Sequence, residues 1–310
     1  MKLVLLDVQT LGDDLDLTPL KQFGELITYP ITTEKETATR IQDAEIIITN
    51  KVIIDKSHME HAKQLKLICI AATGMNNVDL EAAKALGIEV KNVAGYSTQS
   101  VTQHTFATAL YLIEKLDYYN HVVKSKAWSN QPLFTNVSRP YFEIAGKQWG
   151  IIGMGSIGQE VAQIATAFGA TVSYHSSSGN NTDQPYTHKR LEALLGTSDI
   201  LSIHAPLNPQ TENLINQANL PLLKEGAILL NIGRGGIINE IDLAKELNKR
   251  ALYAGLDVST KEPIEADHPL LHLTHPDRLL LTPHIAWASI EARQKLLKGI
   301  VENIKTSLQG

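Results

Sequence analysis

The sequence predicts an α/β protein with parallel sheets, organised as two domains. Short apolar runs alternate with helical patterns through the first hundred residues, and this alternation is typical of parallel strands covered by helices. A further apolar run, 149–152, breaks into the glycine turn GMGSIG at 153–158 and then continues as a helix. The length of 310 residues exceeds what one hydrophobic core usually organises, so two domains are expected.

Strands and helices can be assigned in order along the chain. Helical spacing predicts helices over 56–65 and 79–86, and Gly87 ends the second. Ser100 and Gln103 fit a capping box, which predicts that a long helix with an apolar stripe begins there. A later helix over 240–248 follows its cap, Asn239. The predicted strands are the apolar runs 3–8, 45–50, 67–71, 88–93, 149–152, 170–175, 199–204, 227–232, 252–256 and 279–281.

The segment 125–144 loses periodicity although it carries several aromatic side chains, among them Trp128, Phe134 and Tyr141. A loop of this length with so many apolar groups predicts an arm that packs against another surface. That surface is either a second subunit or the arm's own domain.

The glycine turn has the spacing G-x-G-x-x-G of a dinucleotide-binding turn. Gly153 permits the sharp bend, Gly155 lets backbone approach a pyrophosphate, and Gly158 lets the helix pack closely on the strand. Phosphate groups would then lie on the free N–H groups of the helix start.

The second strand of this unit is followed by serines where an acidic residue usually binds the ribose hydroxyls of NAD. Ser176 and Ser177 stand there, and the next carboxylate along the chain is Asp183. No negative charge repels a 2′-phosphate, yet no arginine is adjacent to bind one. The sequence therefore permits NADP as well as NAD.

Chemistry-bearing residues follow several predicted strands, and ligands bind beyond the carboxyl ends of parallel strands. Arg234 is framed by glycines, and its planar fork suits a carboxylate beside a carbonyl, although a surface ion pair is the simpler alternative. His284 follows another strand and is fixed by a preceding proline, which makes it the strongest candidate for catalysis. The N–H groups of Gly74 and Met75 either hold a carboxylate or form an ordinary turn before a helix.

Composition excludes several classes of partner. A net charge of -5 gives no electrostatic footprint for nucleic acid or an anionic membrane, so we expect a small-molecule partner. The N-terminus meets an acid too early for a signal peptide, and no apolar run approaches a membrane span. The single cysteine, Cys69, excludes an internal disulfide and a cysteine-built metal site, and it fits a reducing cytoplasm.

Four motifs lie in the order and approximate spacing found in the D-isomer-specific 2-hydroxyacid dehydrogenases, which the chain resembles over nearly its whole length. They are GMGSIG at 153–158, NIGRGG at 231–236, GLDVSTKEP at 255–263 and TPHIAWAS at 282–289. The segments most similar to the glycerate dehydrogenase, or hydroxypyruvate reductase, branch are TNKV at 49–52, ATGMNNVDL at 72–80 and NVAGYSTQSVTQHTFA at 92–107.

The resemblance implies two Rossmann-like, doubly wound parallel-sheet domains. A dinucleotide-binding domain of residues 99–284 would be inserted into a flavodoxin-like substrate domain of residues 1–98 plus 285–310, with the active site in the cleft and hinges near Ser100 and His284. It also implies a homodimer built through the nucleotide domain, which suits the arm at 125–144.

The resemblance further implies a reaction. A nicotinamide passes hydride to a 2-keto acid while protonated His284 gives a proton to the developing alkoxide, and Glu262 orients the imidazole and favours its charged form. Arg234 would bridge the substrate's carboxylate and carbonyl, and the backbone of Thr73, Gly74 and Met75 would take the other carboxylate oxygen. The positions implied to line NAD or NADP are Thr102, Gly153, Gly155, Ser156, Ile157, Gly158, Ser176, Ser177, His204, Pro206, Thr211, Asn231, Ile232, Gly233, Asp257 and His284, with Asp257 on the nicotinamide carboxamide side.

Trp287 is the residue that bears on the choice of substrate. Trp287 would crowd the pocket and favour small acids such as hydroxypyruvate or glyoxylate, unless it serves packing or the subunit interface. The alternatives are a broader 2-keto acid reductase and, outside enzymes, a corepressor of the same fold that senses NAD(H).

Overall fold

The computed structural model of the chain describes residues 1–309, which divide into two units. One unit comprises Met1–Ser97 together with the C-terminal segment that begins at Trp287, and the other is Thr98–Ala286. Each unit is built on one all-parallel sheet with helices, so the predicted fold class is confirmed.

The first unit contains a five-stranded sheet in the order β2-β1-β3-β4-β5. Its central strands are buried along their whole length, as expected where helices cover both faces of a parallel sheet. The strands are β1 (Lys2–Leu5), β2 (Glu25–Thr28), β3 (Ile46–Thr49), β4 (Leu67–Ile70) and β5 (Glu89–Asn92). The helices are α1 (Glu34–Ile41), α2 (Lys56–His61), α3 (Leu80–Ala85) and a C-terminal helix (Ile290–Gln309).

The second unit contains a seven-stranded sheet in the order β12-β11-β10-β9-β6-β7-β8. Its strands are β6 (Gln148–Ile152), β7 (Thr171–His175), β8 (Thr187–His188), β9 (Ile200–Ile203), β10 (Ile228–Asn231), β11 (Tyr253–Leu256) and β12 (Leu279–Leu281). Its helices are α4 (Thr98–Glu114), α5 (Leu116–Lys124), α6 (Ser156–Ala167), α7 (Leu191–Thr197) and α8 (Glu240–Lys249).

The strand order reverses once in each sheet, and this reversal marks where a ligand can bind. The first sheet has the flavodoxin-like order with its reversal between β1 and β3, and the second has the Rossmann order with its reversal between β6 and β9. In such sheets the crevice beyond the carboxyl ends of those two strands is open. The glycine turn follows β6 and His204 follows β9, so both lie at this position.

Two sequence predictions need correction or completion. The long helix begins at Thr98, so Ser100 is not its cap; the Ser100 hydroxyl instead donates to the carbonyl of Ala286 at 2.6 Å. In the arm at 125–144 only Trp128–Asn130 forms a short 3-10 helix. No helix within residues 1–309 is long and apolar enough to cross a membrane.

Candidate active site

Arg234 lies in a turn after β10 that is fixed by the side chain of Asn231. The Asn231 amide donates to the carbonyl of Arg234 at 2.8 Å, and its oxygen accepts from the N–H of Gly233 at 3.1 Å. Asn231 is 2% exposed, so its side chain serves the turn. The partly exposed Arg234 guanidinium donates to the Gly233 carbonyl at 2.9 Å, which leaves most of its donors for a ligand.

The loop Ser259–Glu262 packs directly against this turn. A Cβ on Gly235 would lie 2.0 Å from the carbonyl oxygen of Ser259, so only glycine allows the two backbones to approach this closely. The N–H of Ser259 donates to one Glu262 oxygen at 3.2 Å. Gly235, the neighbour of Arg234, therefore determines how closely the loop that carries Glu262 lies to the Arg234 turn.

His284 lies in a turn after β12 and faces Glu262. Its Nδ1 is 2.7 Å from the second Glu262 oxygen, and its backbone has a left-handed φ of 56°. The carboxylate accepts only, so Nδ1 carries a proton and Nε2 is left to exchange one with a ligand. The His284 side chain is 20% exposed, which lets a small molecule reach it.

Asp257 anchors the backbone of that turn. Its carboxylate is 1% exposed and accepts from the Thr282 hydroxyl at 2.6 Å and from the N–H groups of Ile285 and Ala286 at 2.9 and 2.8 Å. The carbonyl of Asp257 accepts from the His284 N–H at 2.8 Å. These contacts bind the Asp257 carboxylate to the backbone of the histidine turn, and its place on the nicotinamide side stays a prediction.

Sequence reasoning missed two residues that complete this anchor. Nε2 of His104, on α4, lies 3.1 Å from the Thr282 hydroxyl and 3.6 Å from the Asp257 carboxylate. The hydroxyl of Thr282 donates to that carboxylate and hence accepts from His104. In the sequence, only Thr282, which lies two residues before His284, could have indicated this anchor.

The glycine turn fits a dinucleotide. A Cβ on Gly153 would lie 2.7 Å from the N of Ala205, and one on Gly158 would lie 2.2 Å from the carbonyl oxygen of Gly153. By contrast, a Cβ on Gly155 meets no atom within 4 Å, so this backbone faces open space at the start of α6. Ser156 and Ile157 form the first turn of that helix, whose free N–H groups suit a pyrophosphate.

Buried polar atoms without partners support the same fit. The Thr102 hydroxyl and both ring nitrogens of His204 are buried and have no hydrogen-bond partner among the described residues. Burial lowers the pKa of His204 to about 3, so the ring is neutral at ordinary pH. A neutral imidazole and a hydroxyl are groups that a bound nucleotide could pair with.

The other predicted cofactor positions differ in what they expose. The Thr211 hydroxyl is buried and donates to the carbonyl of Pro206 at 2.6 Å, so it closes its own loop, whereas Pro206 is exposed. Ser176 is 6% exposed and accepts from the N–H of Asn181 at 3.2 Å, and Ser177 is partly exposed. Ile232 is 5% exposed and contributes backbone to the Arg234 turn.

In the first unit, the loop after β4 has free donors. The N–H groups of Gly74 and Met75 donate to no protein group within residues 1–309, while the Thr73 carbonyl accepts from Asn92 at 2.6 Å. This arrangement suits an anion better than an ordinary closed turn does. Trp287 packs edge-on against Tyr96 at 6.2 Å, so part of its ring belongs to the core of this unit.

The comparisons with known proteins agree with these features. Residues 106–286 match the family model described as "D-isomer specific 2-hydroxyacid dehydrogenase, NAD binding domain". The chain belongs to this family. The family expectation and that of an NAD-binding unit are therefore confirmed.

Three known proteins are similar to this chain over its whole length or nearly so. A hydroxypyruvate reductase of Blautia hydrogenotrophica is 38% identical over 100% of this chain and 98% of its own. An acyclic imino acid reductase solved with NADPH and D-Arg has a TM-score of 0.87 at 30% identity and covers 100% of this chain and 97% of its own. The D-lactate dehydrogenase of Aquifex aeolicus, solved with NAD and lactic acid, has a TM-score of 0.85 at 25% identity, with 100% and 96% covered.

Proposed function

We propose that this protein reduces a small 2-keto acid of the hydroxypyruvate or glyoxylate type to the D-2-hydroxy acid, with NADH or NADPH as the reductant. The observation that carries the proposal is the contact of 2.7 Å between His284 Nδ1 and the Glu262 carboxylate, on loops beside Arg234. The printed name of the hydroxypyruvate reductase relative supports the substrate class.

The chain's own residues account for proton transfer and charge. A bound reduced nicotinamide supplies the hydride that C2 of the keto acid receives. His284 gives the proton on Nε2 to the carbonyl oxygen as negative charge develops there. Glu262 holds Nδ1–H and so keeps Nε2 free to face the substrate. Arg234 stabilises the developing alkoxide and orients the carboxylate beside it.

The residues of the first unit select the substrate in this proposal. The free N–H groups of Gly74 and Met75 are donors for a carboxylate oxygen of the substrate. Trp287 limits the size of the group on C3. Packing of its ring against Tyr96 fixes its position, which makes the limit a rigid one.

Initial rates with hydroxypyruvate, glyoxylate, pyruvate and phenylpyruvate, each with NADH and with NADPH, test the function. We expect the highest kcat/KM with hydroxypyruvate or glyoxylate. Higher values with phenylpyruvate would replace the proposal by a broader 2-keto acid reductase. Absence of turnover with every pair would remove the dehydrogenase activity altogether.

The serine at the ribose position gives a prediction on the cofactor. Ser176→Asp is expected to raise KM for NADPH at least about tenfold and to leave KM for NADH within about threefold, because a carboxylate there repels only the 2′-phosphate. Ser176→Asn, which has the same size without the charge, is the control and should leave both KM values nearly unchanged. Equal effects of Asp and Asn would show that size, rather than charge, matters at this position.

We also propose that the enzyme is a homodimer formed through the second unit and the arm at 125–144. The arm is held to its own unit by Arg139, which pairs with Asp277 at 2.5 Å, and by the Tyr118–Ser138 contact at 2.8 Å. Its apolar side chains nevertheless point outward, with Phe134 89% and Val137 79% exposed. Such a patch marks a protein interface more often than a free surface.

A cytoplasmic location is part of the same proposal and is supported by the single, buried Cys69.

Light scattering after size exclusion tests the dimer. The wild type is expected at the mass of two 34.1 kDa chains, and Phe134→Asp is expected at the mass of one, because a charge cannot be buried unpaired in an apolar interface. The control is Ile31→Asp, which changes an apolar side chain that is 61% exposed in the other unit. A wild type with the mass of one chain would contradict the dimer.

A further inference from the structure

A second carboxylate, the buried side chain of Glu240, forms hydrogen bonds to the loop that carries Glu262. Glu240 is the first residue of α8 and is 7% exposed. Its Oε1 accepts from the N–H of Thr260 at 2.6 Å and from the Thr260 hydroxyl at 2.9 Å. Thr260 lies two residues before Glu262, so these bonds fix the loop close to the point where the Glu262 side chain leaves it.

The other oxygen of Glu240 is also engaged. Nε2 of His268 lies 3.3 Å from Oε2 of Glu240, and the two side chains are 14% and 6% exposed. Nδ1 of His268 accepts from the N–H of Leu270 at 3.3 Å, which places the ring proton on Nε2, where it points at Glu240. Three donors therefore converge on one buried carboxylate, and an amide side chain could not accept all three.

The same loop also packs against the turn that carries Arg234. Any Cβ on Gly235 would meet the carbonyl of Ser259 and lie 2.6 Å from the N of Thr260. The peptide between Ser259 and Thr260 is thus fixed between the Gly235 backbone and the Glu240 carboxylate. These contacts fix the backbone two residues before Glu262.

We propose that Glu240 is a positioning residue for the reaction: by holding Thr260, it places the Glu262 carboxylate at hydrogen-bond distance from His284. This inference rests on the proposed function, because it gives Glu240 a role only where His284 acts as the acid. Glu240 reaches His284 through Thr260 and Glu262. Its own bonds are to Thr260 and His268.

Several charged groups lie along this chain of contacts. Glu262 is the carboxylate bonded to the His284 ring, while the Asp257 carboxylate bonds the next two N–H groups and has His104 beside it. Around Glu240, His268 is the ion-pair partner. Glu265 lies near His268, and its pKa is lowered mainly by Lys261 and to a smaller extent by His268. A change at Glu240 can therefore act on His284 through the Thr260–Glu262 loop.

The test is a double-mutant cycle on the pH dependence of kcat/KM for reduction. Glu240→Ala is expected to lower kcat/KM roughly tenfold to a hundredfold, since displacement of a catalytic group by about 1 Å can cost this much. The alkaline limb of the profile should move to lower pH, because the Glu262 carboxylate is no longer held beside the proton donor. Glu262→Ala should cause the same movement, and the double variant should show no further movement.

Milder variants and a control separate positioning from simple stability. Thr260→Val keeps the N–H bond to Glu240 and removes the hydroxyl bond. Glu240→Gln keeps an acceptor for Thr260 but turns an amide NH₂ donor toward the N–H of His268. Both variants should therefore move the alkaline limb by an intermediate amount. The matched control is Glu246→Gln, since Glu246 is on the same helix, is equally buried at 7%, and pairs with Arg250 instead of the loop. It should lower Tm and leave the pH profile in place.

A readout without turnover keeps this proposal independent of the reaction. The ¹⁵N shifts of the His284 ring in the cofactor-free protein, assigned by their loss in His284→Ala, should report a single Nδ1–H tautomer in the wild type and a tautomer mixture in Glu240→Ala. An unchanged tautomer pattern together with an unchanged pH limb in Glu240→Ala, Glu240→Gln and Thr260→Val would overturn the role of Glu240. Absence of turnover in the wild type with an altered tautomer pattern in the variants would instead overturn the proposed reaction alone.

Discussion

Replacing His284 with alanine is expected to lower kcat for 2-keto acid reduction by roughly 10³-fold while cofactor affinity stays within about threefold of the wild type. The imidazole is the group that the Glu262 carboxylate holds at 2.7 Å with Nε2 left for the substrate. Without it, water must give the proton to the developing alkoxide. The turn itself should persist, because Asp257 holds it through the N–H groups of Ile285 and Ala286.

Two measurements separate the chemical step from binding and folding in this variant. Single-turnover rates give the chemical step, and titration of nicotinamide fluorescence gives the cofactor Kd. His61→Ala, which changes an exposed histidine on α2, serves as the control and should keep wild-type values for both. A variant at His284 that retained kcat within tenfold would assign the proton transfer to another group. Loss of cofactor binding together with loss of rate would show that the ring is needed to shape the nucleotide site.

The fold could be predicted largely from the sequence because its information is local. Strands buried on both faces, such as β3 and β9, are uninterrupted apolar runs, and all the predicted strands occur within a few residues of their expected ends. The edge strand β2 was missed because its residues are only partly buried and it has no such run. The start of α4 was misassigned because the Ser100 hydroxyl bonds a distant carbonyl, that of Ala286, which no local capping pattern contains.

The candidate site, like the fold, could be predicted only in part. Arg234 and His284 could be singled out because each follows a strand of a parallel sheet, where functional groups gather. Glu262 was assigned only through the resemblance to the family, since its residue type and position also suit a solvated loop. The residues that hold these side chains in place could not be predicted. Glu240 resembles any acidic residue in the first turn of a helix, and its contact with Thr260 spans 20 residues. The anchoring contacts of Asp257 with the His284 turn likewise join two strands that are neighbours only in space.

Arg234 gives the second large effect. Arg234→Gln is expected to lower kcat/KM by roughly 10³-fold, because the charge that stabilises the alkoxide and the fork that orients the carboxylate are lost together. Arg234→Lys keeps the charge but presents it as a point, so we expect a smaller loss, on the order of 10²-fold. The turn depends on Asn231, whose bonds run to backbone groups of residues 233 and 234, and hence Tm should change little in either variant.

Whether Arg234→Lys keeps more kcat/KM than Arg234→Gln, and by how much, decides how Arg234 acts. If a planar fork is required, added guanidinium ion should restore part of the activity of Arg234→Ala. It should leave the rate of Arg190→Gln unchanged, since that control alters an exposed arginine that makes no side-chain cap. If lysine performs as well as arginine, charge alone suffices, and the bridging of carboxylate and carbonyl by one side chain is wrong. If glutamine retains wild-type kcat/KM, Arg234 does not bind the substrate carboxylate, which is then held by other donors.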